Sequence, residues 1–225
     1  MTLSLVGCCA RTGMLGAIVM SSSPAVAARC AWARARVGAA CSQNITDPSL
    51  GAAMLDRIAA GATAPDALAA VTVATATAGY RQLTVVDAFG RTAAFSGAHT
   101  LGRHADVTGA DCAAAGNLLA DAAAPAAMAD AFAADPAAHL GDRLMAALAA
   151  GRDAGGEEGA VHSAGMLVVD AVAWPVTDLR VDFTEADPVA ELAALWDMWR
   201  PLAEDYVTRA LDPESAPSYG VPGDE

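Results

Sequence analysis

The property that most restricts this chain is that its hydrophobicity is carried by small side chains. Of 225 residues, 55% are hydrophobic but only 5% are aromatic, and roughly a quarter are alanine. The hydrophobicity is therefore mostly that of small side chains. No window reaches the ~18 uninterrupted apolar residues of a bilayer span, because Arg, Asp, Gly or Ser breaks every run. The length suits one large domain and is thin for two, so residues 1–211 are expected to form a single domain.

Charge narrows the partners. The 13 cationic side chains are all arginine, against 26 Asp and Glu, giving a net charge of -13. Without lysine, every mechanism that needs a Lys amine is excluded. The acidity, with a pI near 4.5, repels phosphate backbones and anionic lipid, so neither nucleic acid nor membrane is expected as a partner. A small-molecule substrate fits better.

The first 28 residues imitate a secretory signal, ending in Pro24, Ala25, Val26, Ala27 and Ala28. No Lys or Arg precedes the apolar part, and Arg11 and Gly13 split it into two halves of strand length. Leu5 to Cys8 resembles a lipoprotein box with too few residues before the cysteine. A cytoplasmic protein is expected. The five cysteines, Cys8, Cys9, Cys30, Cys41 and Cys112, show no C-x-x-C spacing and no paired His. They are read as reduced, buried thiols, and no metal and no cofactor are expected.

Leu3 to Gly7 and Leu15 to Ser21 read as strands of a hairpin turning at Arg11, Thr12 and Gly13. Val37 to Ser42 is a third strand. Asp47 and Pro48 open a helix carrying Leu50, Met54, Leu55 and Ile58, and Gly61 ends it. A second helix runs from Pro65 through Leu68 and Val71. Leu83 to Val86 and Thr92 to Phe95 make another hairpin around Asp87 to Gly90. Helices follow at Pro125 to Ala134 and Leu140 to Gly151, then a Gly-rich acidic loop, Gly155 to Gly159. Strands at Met166 to Asp170 and Leu179 to Val181 precede a last helix with Leu192, Leu195, Trp196, Trp199 and Leu202 on one stripe. The tail, residues 212–225, is rich in Pro, Gly, Ser and acid and is expected to be disordered. The pattern predicts an α+β domain of two antiparallel sheets packed face to face with helices outside.

A colinear series of blocks carries a resemblance. It includes TLSLVG from Thr2, GMLGAIVMSS from Gly13, VGAACSQNITDPSLG from Val37, RQLTVVDAFGRTAAFSG from Arg81, Gly116-Asn117, LGDRLMAALAAG from Leu140, AGGEE from Ala154, HSAGMLVVD from His162 and DLRVDF from Asp178. Together they resemble the bacterial family called domain of unknown function 1028, over residues 1 to about 205. The resemblance implies the N-terminal nucleophile (Ntn) hydrolase fold, a four-layer αββα sandwich.

In that superfamily the first residue of the mature chain supplies the nucleophile, and its own α-amine acts as base. A free α-amine titrates near ~8, so part of it is neutral at pH 7. The resemblance therefore implies removal of Met1 and a nucleophilic Thr2 at the start of the first strand. Ser4 and Cys8 are weaker nucleophile candidates. Asn117 is the candidate oxyanion donor. Ser4, Ser22, Ser42, Gln43, His104 and Ser163 are the candidates to line a substrate pocket. His99 and His104 lack a third ligand for a metal, Asp87 is read as a turn residue, and Arg180 with Asp182 as a structural pair.

The sequence departs from the family pattern at Ser22-Ser23-Pro24, where a Ser-Arg pair is usual, and at the Cys8-Cys9 turn, His162 and Gly159. Either the pocket is retuned or catalysis is lost. The leading expectation is hydrolysis of a linear or cyclic amide, or a related C–N bond, in a small molecule. The alternative is a catalytically silent binder of a metabolite, or an oligomeric structural protein. A homo-oligomer is expected in either case.

Overall fold

The computed structural model describes residues 2–221. In chain order the elements are β1 (Thr2–Cys8), β2 (Leu15–Ser21), α1 (Ala27–Cys30), β3 (Ala31–Arg34), β4 (Gly38–Asn44), α2 (Ser49–Ala59), α3 (Ala64–Ala74), β5 (Arg81–Asp87) and β6 (Thr92–Ser96). There follow β7 (Ala105–Gly109), β8 (Cys112–Asn117), α4 (Ala124–Ala133), α5 (Leu140–Asp153), β9 (Ser163–Val169), β10 (Pro175–Val181), α6 (Pro188–Trp199) and α7 (Ala203–Leu211). One sheet has six strands in the order β10-β9-β2-β1-β8-β7, the other four in the order β3-β4-β5-β6. All ladders are antiparallel.

Three apolar layers hold these sheets. Leu3, Leu5, Ile18 and Met166 of the larger sheet pack on Met128, Phe132, Leu144 and Leu148 of α4 and α5, and on Leu192 and Trp196 of α6. Ala40, Leu83 and Val85 of the smaller sheet pack on Met54, Leu55, Leu68 and Val71 of α2 and α3. Between the sheets lie Val6, Leu15, Ala17, Ala39, Cys41 and Val86. Those side chains are mostly small, as is the chain's apolar composition as a whole. Gly7 shows the same economy, since a Cβ there would come within 2.5 Å of the Phe132 ring. The arrangement is an α+β sandwich with helices outside both sheets.

The opening hairpin, both central helix pairs and the β5–β6 hairpin stand where the sequence pattern places them. Other features depart from it. β8 is a fully buried strand of sequence CAAAGN, hidden from propensity because alanine is depleted in strands. β3 and β7 were likewise not expected. The stripe assigned to one last helix is divided between α6 and α7, which break at Pro201, where the ring removes a helical N–H. Leu202 is therefore off the α6 face and 39% exposed.

In the tail expected to be disordered, Pro217 and Tyr219 meet α7: Arg209 donates to Pro217 O (2.9 Å) and sits over the Tyr219 ring. Residues 222–225 of that tail lie outside the described residues. No helix among the described residues is long and apolar enough to cross a membrane. All five cysteines are buried and unpaired.

Candidate functional site

Strand parity decides which side chains meet between the sheets. On β1, Leu3 and Leu5 face the helices, so Thr2, Ser4, Val6 and Cys8 face the smaller sheet. The same alternation turns Ser21, Asn117, Ser163, Gln43 and Gln82 inward. The inner layer consequently changes from aliphatic at one end to polar at the end where β1 begins.

A buried amide circuit occupies that polar end. Gln82 Oε1 accepts from Gln43 Nε2 (2.9 Å) and from Asn117 Nδ2 (3.1 Å). Gln82 Nε2 donates to Gly116 O (3.0 Å) and to Ser96 Oγ (2.9 Å). Gln43 Nε2 also donates to Ala115 O (3.1 Å), while its Oε1 accepts from Ser4 Oγ (2.6 Å). Each of these groups satisfies another, as burial demands. The circuit ties β1 and β8 of one sheet to β4 and β5 of the other.

Thr2 stands beside it. It pairs with Asn117 across the β1–β8 ladder, is 5% exposed, and its hydroxyl lies 3.4 Å from Ser21 Oγ. The chain leaving β2 is shaped by further hydroxyls. Ser21 Oγ accepts from Ser23 N (3.1 Å), and Ser163 Oγ donates to Ser23 O (2.6 Å) and accepts from Val26 N (3.3 Å). Ser22 N–H donates to Glu157 Oε2 (3.1 Å).

Glu157 is a buried carboxyl, 5% exposed, and its Oε1 has no hydrogen-bond partner. Burial pushes its pKa up to about 7, against the opposing effects of the chain's α-amino charge and the Ser22 N–H. The loop that carries it turns on Gly155, Gly156 and Gly159, all at positive φ (117°, 56° and 130°), a conformation that glycine adopts without steric cost.

Of the residues expected at the site, Thr2, Ser4, Gln43 and Asn117 converge in the inter-sheet seam, and Ser22 and Ser163 shape the adjoining turn. Two are placed elsewhere. Ser42 has the opposite parity to Gln43 and faces the α2 side, donating to Asp47 O (2.8 Å). His104 is exposed, with Nδ1 3.0 Å from Gly102 O. Cys8 lies at the far end of β1, and His99 packs on the Tyr80 ring at 4.7 Å. Among the described residues, no three His, Cys, Asp or Glu side chains are grouped to hold a metal.

Asp87 is a turn residue, accepting from Ala64 N, Phe89 N and Arg91 N and pairing with Arg91 Nε at 2.7 Å. Arg180 and Asp182 form an exposed pair at 3.8 Å.

Sequence reasoning missed Gln82 and Glu157. A polar residue at the first inward position of the apolar run QLTVV was the available signal for Gln82. Glu157 had only its glycine neighbours. A separate cavity of about 600 Å³, lined in part by Met14, His139, Asp170, Arg200 and Val207, opens at the opposite end of the larger sheet, where β2 begins and β9 ends.

Comparison with known proteins places this geometry in a family. Residues 2–192 match a family of unknown function, DUF1028. The crystal structure of a Silicibacter pomeroyi protein of family-model DUF1028 is similar at a TM-score of 0.83 and 30% identity, covering 91% of this chain and 89% of that one. No curated protein matches. With most of its length matched and its fold reproduced in that crystal structure, the chain belongs to the DUF1028 family.

Proposed function

We propose that this protein is a hydrolase of N-terminal nucleophile type, acting on an amide or related C–N bond of a small molecule. The observation that carries the reading is the position of Thr2. It begins a central strand of the six-stranded sheet, with its hydroxyl in the buried polar seam between the sheets and an amide donor directly across the ladder. After loss of Met1, the Thr2 amine would take the proton from Oγ1 as Oγ1 bonds to the substrate carbonyl carbon. The C–N bond then breaks, the departing nitrogen takes that proton, and water releases the acyl group to restore Thr2.

Asn117 Nδ2 carries two hydrogens. One bonds Gln82, and the second is the donor proposed for the carbonyl oxygen as it gains negative charge. The Ntn-type αββα sandwich, a cytoplasmic location, a homo-oligomeric state and small-molecule partners in place of nucleic acid or membrane all belong to this reading.

Intact mass and a Thr2→Ala variant test it. Loss of about 131 Da, one methionine residue, is expected in purified protein, together with hydrolysis of members of an amide panel that Thr2→Ala abolishes. Retained Met1 in active protein, or full activity in Thr2→Ala, refutes the reading. A second reading, a catalytically silent metabolite binder, is favoured by the cavity at the opposite end of the sheet. It predicts ligand-induced thermal stabilisation that Arg200→Ala weakens and Thr2→Ala does not.

A further inference from the structure

We infer that Glu157 holds the α-amino group of mature Thr2, as a positioning and charge-balancing residue; this rests on the nucleophile reading above. The placement follows from the ladders. β1 runs between β2 and β8, and Thr2 stands beside Ser21 on one side and Asn117 on the other. Just past those residues, Ser22 N–H donates to Glu157 Oε2 (3.1 Å) and Leu119 forms an isolated antiparallel bridge with Glu157. Glu158 N–H also donates to Leu118 O (2.8 Å). Glu157 is thus tied to both neighbours of β1 beyond its first residue, across the lane into which the amino side of Thr2 points.

The side chain lacks half of what a buried carboxyl needs. Oε2 has the Ser22 N–H, whereas Oε1 is buried without a partner, a costly state unless a donor or proton is supplied. Among the described side chains, His162 is the one whose positive charge acts on this carboxyl, and the neighbouring arginines are paired with other groups. Arg152 pairs with Asp153 (2.9 Å) and Asp187 (3.0 Å), Arg103 donates to Ala120 O, and His162 Nδ1 lies 2.9 Å from Thr184 O. A liberated Thr2 α-amine brings N–H donors and, once protonated, a positive charge on the residue that also holds the hydroxyl. Anionic Glu157 would accept from that amine, orient it toward Oγ1, and stabilise the ammonium formed when it takes the hydroxyl proton. The titratable groups whose charge acts on this carboxyl are the chain's α-amino group and His162.

The test needs no substrate. The full chain is checked by intact mass, and periodate, which cleaves a free N-terminal threonine between its amine- and hydroxyl-bearing carbons, confirms that Thr2 is exposed as the first residue. The Thr2 amine is then titrated by its rate of trace acetylation with acetic anhydride across pH, in wild type, Glu157→Gln and Glu157→Asp. A neighbouring carboxylate raises an amine pKa by about one unit or more. Wild-type Thr2 is therefore expected to titrate above ~8 and to acetylate about tenfold more slowly at pH 7 than in Glu157→Gln, with Glu157→Asp between them.

If Glu157→Gln does not fold, the wild-type titration and the Asp variant decide. An amine at or below its ordinary value in wild type, or equal rates in all folded variants, overturns the inference while leaving Thr2 as nucleophile. Retention of Met1 overturns both.

Discussion

Thr2 and Asn117 face one another as register partners of β1 and β8, so the candidate nucleophile and the candidate oxyanion donor are aligned by a backbone ladder rather than by loops. That makes their separation insensitive to loop motion, and it separates two roles for Asn117. As an oxyanion donor, its loss in Asn117→Ala should lower kcat on a hydrolysed amide by about 100-fold or more, with little change in KM. If Asn117 only braces Gln82, the variant loses stability and keeps kcat. Steady-state kinetics alongside thermal melting tells these apart.

Gln82 is the hub of the inter-sheet circuit, accepting from two side-chain amides and donating to Gly116 O and Ser96 Oγ. Gln82→Leu preserves volume but strands buried donors on Gln43 and Asn117. A loss on the order of 3 kcal/mol is expected in chemical denaturation. A loss under ~0.5 kcal/mol, the level of an ordinary surface substitution, would mean that the circuit does not hold the sheets together.

Asp87 is wholly buried and anchors the β5–β6 hairpin to the start of α3 through the Ala64 N–H (3.0 Å). Asp87→Ala should cost on the order of 3 kcal/mol, and Asp87→Asn less, because one amide oxygen can still accept. Equilibrium unfolding of the two variants, with equal losses as the contrary result, checks the order.

His139 accepts from Gly141 N (3.0 Å) at the N-terminus of α5, which requires an unprotonated Nδ1. Burial is the main cause that lowers its pKa. Since the folded value is below the unfolded one, its contribution is fully present above the unfolded pKa near ~6.5 and is lost as pH falls through the folded value. His139→Asn should keep the cap and flatten this part of the stability profile, whereas His139→Ala should cost about 1 kcal/mol at pH 8. Urea midpoints between pH 5 and pH 8 give the comparison.

Thiol labelling should be uneven. Burial pushes Cys8 and Cys112 up to about 11 and Cys41 to about 12. Burial acts the same way on Cys9, but the Thr12 hydroxyl and the N–H groups of the turn outweigh it and lower its pKa. Iodoacetamide at pH 8, followed by peptide mass mapping, should modify Cys9 first, and Cys41 only on unfolding. Faster labelling of Cys41 would contradict the burial described here.

The outlines of the sandwich were legible where side chains report their surroundings. Alternating aliphatic residues from Leu3 and from Leu15 marked the opening hairpin, and Leu140, Leu144 and Leu148 marked α5. The strand at Cys112–Asn117 gave no such signal, because three alanines suit a helix, a strand or a loop equally until neighbours bury them. For the site, Thr2, Ser4, Gln43 and Asn117 could be singled out by residue type and family resemblance. Ser42 could not be separated from Gln43 without the orientation of β4, and His104 could not be distinguished from a site histidine without its exposure.

By itself, the order of residues determined a small-residue, lysine-free, acidic chain of strands and helices whose family could be recognised. Tertiary structure alone decided that Gln82 joins the two sheets and that Glu157 meets Ser22 and Leu119, just past β2 and β8. Both placements depend on register and on contacts between residues distant in the chain. Local propensity and periodicity contain no term for which strand lies opposite another.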